Sequence, residues 1–279
     1  MSFTFGFATS PAEPASGSTA AAAECFGASC EHAASELEAE TDGWPDEPYG
    51  FELRMVCIPP SRHEQLLGGI VGAEAAGRSD LVSGEYEGGF KVWECAHEIM
   101  AALDELRDQI PIVGATVLEA GGGAGLPGAL ALRCGCASVV FQDYNGEVLS
   151  WLTMPTLKRN GLWSLVDAGR ARFVSGDWSS VSSHLSAEGG GGEGFDLILS
   201  SDCIYSTDAT ARLWRLLTEQ LRKGGSALLG AKSYYFGVGG SVAHLRTLID
   251  GDGRFTCDTV RTFEDGKSNR REVLLVRWR

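Results

Sequence analysis

The sequence predicts an α/β protein: a seven-stranded sheet, parallel at its centre, with helices on both faces and an antiparallel hairpin at its C-terminal edge. Three observations carry that expectation. Five short apolar runs alternate with helix-like segments between Thr116 and Lys232, the pattern of strands joined by right-handed crossovers. The first of these runs ends directly in a glycine-rich turn, within VLEAGGGAGLPG from Val117 to Gly128. The last two runs of the chain, FTCDTVRTF and REVLLVRWR, flank a turn of Gly, Lys, Ser and Asn and read as a hairpin.

Taken in order, residues 1–45 are rich in Ala, Ser, Glu and Gly, too poor in large apolar side chains to offset chain entropy, and are expected to be a disordered acidic tail. Within it Phe3, Phe5 and Phe7 alternate, which reads either as a docking strand or as a free end. Residues 46–92 read as an extension holding FELRMVCIP and DLVSGEYEGGFKVWE; the latter alternates about Gly88-Gly89 and is hairpin-like. The main domain is expected over 93–279, opening with helical spacing from Trp93 to Arg107. Its strands are TVLEA (116–120), SVVFQD (138–143), ARFVSG (171–176), FDLILSS (195–201) and SALLGAK (226–232). Between them GALALRC, EVLSWLTMPTLKRNG, WSSVSSHLSA and DATARLWRLLTEQLRKGG carry helical periodicity, Pro155 kinking the second. GGGGEG at 189–194 is a flexible connection.

An apolar fraction of 44% and a charged fraction of 22% belong to an ordinary soluble globular protein. No apolar run is long enough for a bilayer span, and the start lacks a secretory pattern, so an intracellular protein, cytoplasmic or nuclear, is expected. The eight cysteines show no CxxC spacing, so no metal site is expected. The net charge is −14, yet the first fifty residues hold nine Asp or Glu and no Lys or Arg. The acidity is therefore mostly in the tail. A basic footprint for nucleic acid is absent, while a basic protein partner stays open.

The glycine-rich turn admits two ligands. Gly123, Gly125 and Gly128 have GxGxxG spacing, with Asp143 twenty residues beyond Gly123, as in a dinucleotide site. No Gly-Lys-Ser or Gly-Lys-Thr follows, which disfavours a P-loop. The same residues read as Glu119-x-Gly121-x-Gly123-x-Gly125, which resembles the first motif of seven-stranded, Rossmann-like methyltransferases that use S-adenosyl-L-methionine. Asp143, at a strand tip, can accept from both hydroxyls of a ribose. Asp177, in Gly176-Asp177-Trp178, can accept from an adenine amino group or cap the next helix, with Trp178 or Tyr144 against a ring face.

Three stretches go further. Asp80-Leu81-Val82 with Tyr86 to Cys95, then Phe141-Gln142-Asp143-Tyr144-Asn145, then Ala231 to Gly240 (AKSYYFGVGG) closely resemble the histidine protein methyltransferase family. The resemblance implies a protein-histidine N-methyltransferase acting on a ribosomal protein of the large subunit, the third in universal numbering. It implies cofactor contacts from Trp93, Glu94, Cys95 and Ala96, from Glu119, Gly121 and Gly123, from Gln142, Asp143, Tyr144 and Asn145, from Gly176, Asp177 and Trp178, and from Ser200. Glu119 and Gly121 would hold the amino acid end. Ala96 departs from the Thr or Ser of many members.

Methyl transfer to a neutral imidazole needs alignment rather than a strong base. A carboxylate on the far ring nitrogen would choose the tautomer, and Asp202, in SSDCIY, is the expected catalytic group, with bracing of the loop as its alternative. Tyr205, Tyr234, Tyr235, Gly237 and Gly239 are expected on the substrate side, the glycines as hinges of a flap. Three other functions remain open on sequence: a protein-lysine methyltransferase, suggested by Asp202-x-x-Tyr205; a non-catalytic cofactor-binding scaffold; and a dehydrogenase, for which no Tyr-x-x-x-Lys pattern occurs.

Overall fold

The computed structural model describes residues 28–34, 41, 43–72, 80–110, 112–188, 194–266 and 269–279. The readings of Phe3, Phe5 and Phe7, of the tail through residue 27 and of the glycine connection at 189–193 lie outside these residues. The strands are β1 (Cys30–His32), β2 (Asp46–Gly50), β3 (Leu53–Val56), β4 (Thr116–Ala120), β5 (Ser138–Asp143), β6 (Ala171–Ser175), β7 (Phe195–Ser201), β8 (Leu221–Lys232), β9 (Phe255–Phe263) and β10 (Arg271–Trp278). The helices are α1 (Pro60–Val71), α2 (Cys95–Glu105), α3 (Leu126–Arg133), α4 (Gly146–Val148), α5 (Met154–Arg159), α6 (Trp163–Asp167), α7 (Trp178–Glu188), α8 (Thr207–Gln220) and α9 (Val242–Asp252).

The main sheet runs β1-β6-β5-β4-β7-β8-β10-β9. Its five central strands pair in parallel, and β10 is antiparallel to both β8 and β9, as the alternation and the closing hairpin predict. Both faces of the centre are covered, which is why these strands read as continuous apolar runs. On one face Val117 joins a core with Leu126 and Leu130 of α3; on the other Leu118 and Ala120 join Val181 of α7 and Leu213 and Leu217 of α8.

Among the described residues the sheet has eight strands, not seven. The extra one, β1, lies in the segment expected to be disordered, and it adds antiparallel to the free edge of β6. Its three residues have little apolar surface, so no hydrophobic pattern marks them; side-chain contacts hold them instead. Glu31 pairs with Arg172, the His32 ring lies 2.7 Å from Ser175 Oγ, and Ser29 Oγ donates to the Ser180 carbonyl at 3.1 Å. The strand also covers an edge that would otherwise expose unpaired backbone groups.

Two further local expectations are corrected. No hairpin forms about Gly88-Gly89: the chain makes a single bridge, Val82 to Tyr86, and then crosses the sheet end irregularly. Gly89 is closely packed there: a Cβ on it would meet Val148 at 2.8 Å and Asp143 Oδ1 at 3.0 Å. The actual hairpin of this region is β2–β3, turning at Phe51 and Glu52 with φ of 53° and 58°, a left-handed pair that usually signals itself by Asn-Gly. Helix α1, unanticipated, packs Leu66, Leu67 and Ile70 on Tyr86 and Phe90. Helix α8 ends at Gln220, and Leu221 to Gly225, expected in the helix, lengthen β8 instead. At Pro155, expected to kink or break the helix, a π-helical turn, Leu149–Thr153, joins α4 to α5; the widened turn accommodates the missing proline N–H.

Candidate active site

The loops after β4, β5, β6 and β7 meet at one end of the sheet, where β4 lies between β5 and β7 and the strand order reverses. Crevices at such a reversal are where open α/β sheets bind ligands. Here a cleft opens, with the segment Glu87 to Trp93 along it.

The cradle begins where β4 stops. Gly121, Gly123 and Gly125 have φ of 65°, 54° and 69°, the left-handed region that costs other residues about 1–2 kcal/mol. At Gly121 a Cβ would overlap Cys203 Sγ, so the glycine is fixed by packing as well as by φ. Gly128 is a residue of α3 and not part of a phosphate loop: a Cβ there would overlap Glu119 Oε2 and approach Phe141 at 2.6 Å. Its N–H, one of the unpaired donors of the helix start, donates to Glu119 Oε2 at 2.9 Å.

Glu119 thus supports the cradle from beneath and does not line the cleft, contrary to the expectation that it holds a ligand directly. Burial pushes its carboxyl up to about 8, against the Gly128 N–H, which lowers it, and with a further rise from Asp143. A group raised on folding stabilises fully below its unfolded value and loses that contribution as pH climbs through the folded one. Glu119→Gln, which retains an acceptor for Gly128 and removes the buried charge, is therefore expected to be more stable than the wild type by about 1–3 kcal/mol above pH 8. Near pH 4 the two should match, and urea melts at both values check it.

Gln142, fully buried near the end of β5, ties the loops after β4 and β6 together. Its Oε1 accepts from the Gly121 N–H at 3.0 Å and from Trp178 Nε1 at 2.8 Å, and its Nε2 donates to the Gly176 carbonyl at 2.9 Å. It positions the wall and leaves the lining to others. Asp143 does reach the cleft; its Oδ2 accepts from Gly123 N–H at 3.0 Å and its Oδ1 from Asn145 N–H at 3.2 Å. Burial raises it to about 6, with these N–H groups opposing. Tyr144 lines the cleft, and its hydroxyl donates to Gly84 O at 2.7 Å; Asn145 Nδ2 donates to Glu85 O at 2.8 Å. These two side chains hold the covering segment down.

Asp177 caps α7 through the Ser179 N–H at 2.9 Å and forms an ion pair with Arg212, so its carboxylate is committed although it borders the cleft. Gly176 and Trp178 line the same wall, whereas Ser200 donates to Ala120 O at 2.9 Å and lies behind it. Trp93 and Ala96 line the opposite side; Glu94 and Cys95 do not.

Asp202 sits at a left-handed φ of 55° with Oδ2 accepting from Cys95 N–H at 2.9 Å and Oδ1 from the Tyr235 hydroxyl at 2.8 Å. Lys232, 2% exposed, lies 2.9 Å from Glu94 and 3.6 Å from Asp202. Burial alone would depress this lysine, but Asp202 and Glu94 outweigh it and hold it above the usual range. The cluster ties the start of α2 to the ends of β7 and β8, which is the bracing alternative for Asp202. Tyr205 borders the cleft and its hydroxyl donates to Glu87. Among the other substrate-side expectations, Tyr235 is half-buried and joined to the brace, Tyr234 is exposed against Phe236 with ring centroids 4.7 Å apart, and Gly237 and Gly239 have φ of 81° and 83°. The loop is pinned: Gly240 N–H donates to Tyr205 O at 3.0 Å, and Gly239 bridges Ser206.

Sequence reasoning did not single out Glu87, Gly88, Gly89, Lys91, Cys203 or Arg212, all of which line the cleft. The Gly-Gly pair beside Glu87 was the available signal for the first three. Arg212 pairs with Asp177 only through the packing of α8 on α7.

A family model described as lysine methyltransferase matches residues 83–235, the span that builds this cleft. The chain belongs to that family. The chain is 42% identical to a histidine protein methyltransferase 1 homolog of Dictyostelium discoideum over 71% of this chain and 60% of that one. It is 31% identical to the homolog of Bos taurus, covering 71% and 57%. The chain thus spans less than two thirds of the curated relatives' length. A structure described as a SAM-dependent methyltransferase from Streptococcus mutans shares the fold at a TM-score of 0.52, with 15% identity over 69% of this chain and 51% of that one. The cofactor is S-adenosyl-L-methionine, and the residues present fit it: a glycine cradle for close backbone approach, the Asp143 carboxylate at the tip of β5 and the Trp178 ring along one wall.

Proposed function

We propose that this methyltransferase modifies a histidine side chain, on a ribosomal protein of the large subunit, the third in universal numbering, met in the cytoplasm or nucleus. The observation that supports this best is the convergence of the three resembling stretches: the covering segment at 84–93, the β5 tip and the loop after β8 all meet the residues around one cleft. The names of the relatives support histidine as acceptor.

Asp143 would receive the ribose hydroxyls, the Gly121–Gly123 backbone the amino acid end, and Trp178 and Tyr144 a ring face. Bound there, the cofactor supplies a sulfonium methyl, whose C–S bond breaks, the electron pair leaving on sulfur, as the acceptor nitrogen forms the N–C bond. A neutral imidazole, pKa about 6.5 in water, already presents a lone pair at pH 7, so the chain's residues need only orient it and exclude water. A second reading, lysine, is favoured by the description of the matched family. A lysine must first lose a proton, so its rate should climb steeply toward pH 10, whereas histidine transfer should level off above about pH 7. Incubation with labelled cofactor and large-subunit ribosomal proteins, followed by mass spectrometry, is expected to return methylhistidine; label on lysine alone overturns the proposal.

A further inference from the structure

Four carboxylates border the cleft: Glu87, Asp143, Asp177 and Asp202. The three aspartates are 4%, 1% and 7% exposed, and each is held by a backbone N–H together with a further donor or a cation. Asp143 takes two backbone N–H groups, Asp177 a backbone N–H and the Arg212 guanidinium, and Asp202 a backbone N–H and the half-buried Tyr235 hydroxyl, with the buried Lys232 ammonium 3.6 Å away. A substrate N–H displacing any of these would leave a buried group unpaired, at about 1–3 kcal/mol.

Glu87 differs. It is half-buried; Oε1 accepts from the Gly84 N–H at 2.8 Å, while Oε2 accepts from the Tyr205 hydroxyl. A phenol hydroxyl rotates to suit its partner, so Oε2 can exchange that donor for another without orphaning backbone. The segment is anchored nonetheless, with the Glu87 N–H donating to Asn145 Oδ1 at 3.3 Å. Tyr205 leaves the end of β7 on the far wall, so the pair spans the cleft between the covering segment and the loop after β7.

We infer that Glu87 is the carboxylate that receives the acceptor imidazole: Oε2 accepts the ring N–H in place of the Tyr205 hydroxyl, selecting the tautomer whose other nitrogen is free to take the methyl. This inference rests on the histidine reading. The N–C bond forming at that nitrogen leaves a positively charged ring; the ring N–H proton passes to Glu87 and from it to water, restoring the carboxylate. Asp202 then braces the site, and Glu87 takes the role first expected of Asp202.

The test compares the full-length wild type with Glu87→Gln on the large-subunit ribosomal protein, the third in universal numbering, and titrates S-adenosylhomocysteine into both by calorimetry. Expected are S-adenosylhomocysteine affinities within about twofold, a kcat lowered by about 10²-fold, a smaller change in KM, and a shift in the ratio of the two methylhistidine isomers. That ratio would not move if Glu87 were merely structural. Loss of S-adenosylhomocysteine binding would assign Glu87 to the cofactor or the fold and overturn the inference, as would an unchanged kcat and isomer ratio. If the wild type labels lysine alone, the histidine reading falls; if it labels histidine and Glu87→Gln does so equally well, only the assignment of Glu87 falls.

Discussion

Replacing Gln142 with leucine is expected to destabilise the protein by about 2–5 kcal/mol and to weaken S-adenosylhomocysteine binding at least about 30-fold. The leucine fits the space of the amide but leaves the Gly121 N–H, the Trp178 indole N–H and the Gly176 carbonyl without the partner they have now. Each unpaired buried group costs about 1–3 kcal/mol, and the costs overlap where one relaxation relieves two of them. Because the three groups belong to the loops after β4 and β6, the loss falls on the relative placement of the cradle and the Trp178 wall. Urea melts and calorimetry measure the two effects; a loss below 1 kcal/mol with unchanged affinity would show that the loops hold their places without Gln142.

Gly121→Ala is expected to cost about 2–5 kcal/mol, the sum of a left-handed φ, about 1–2 kcal/mol, and of overpacking against Cys203 Sγ, about 1–3 kcal/mol. The two parts can be separated. Cys203→Ala removes the overlapping sulfur and leaves the next neighbours of the added Cβ at 3.6 Å, on Trp178, and beyond. The double variant should therefore be more stable than Gly121→Ala alone, with a coupling of about 1–2 kcal/mol. A coupling near zero in the same melts would mean that φ by itself requires the glycine.

Much of the fold was legible because it rests on local pattern. The β5 and β7 bounds follow from apolar runs buried on both faces, and the β9–β10 hairpin from two alternating runs about a polar turn. What escaped was held by polar contacts distant in sequence. Strand β1 depends on Glu31 meeting Arg172, 141 residues away, and the β2–β3 turn adopts a left-handed pair without the residues that usually announce it.

The candidate site divides along the same line. The cradle glycines, Asp143 and Asp177 could be found from residue type and spacing, because a close backbone approach needs glycine and a ribose needs a carboxylate at a strand tip; the GVGG stretch was marked only by the family resemblance. Whether a carboxylate faces the ligand or braces the wall is a matter of which donors surround it. Glu119 lies under the cradle because β4 alternates and Gly128 leaves room for it; Asp202 is taken up by Cys95 and Tyr235; and Glu87 faces the cleft because Tyr144 and Asn145 hold its segment across the sheet end. The sequence by itself determined the layered sheet, the cradle and the class of cofactor. Only the tertiary structure decided the role of each acid, because hydrogen-bond partners far apart in the chain set which oxygens are already committed.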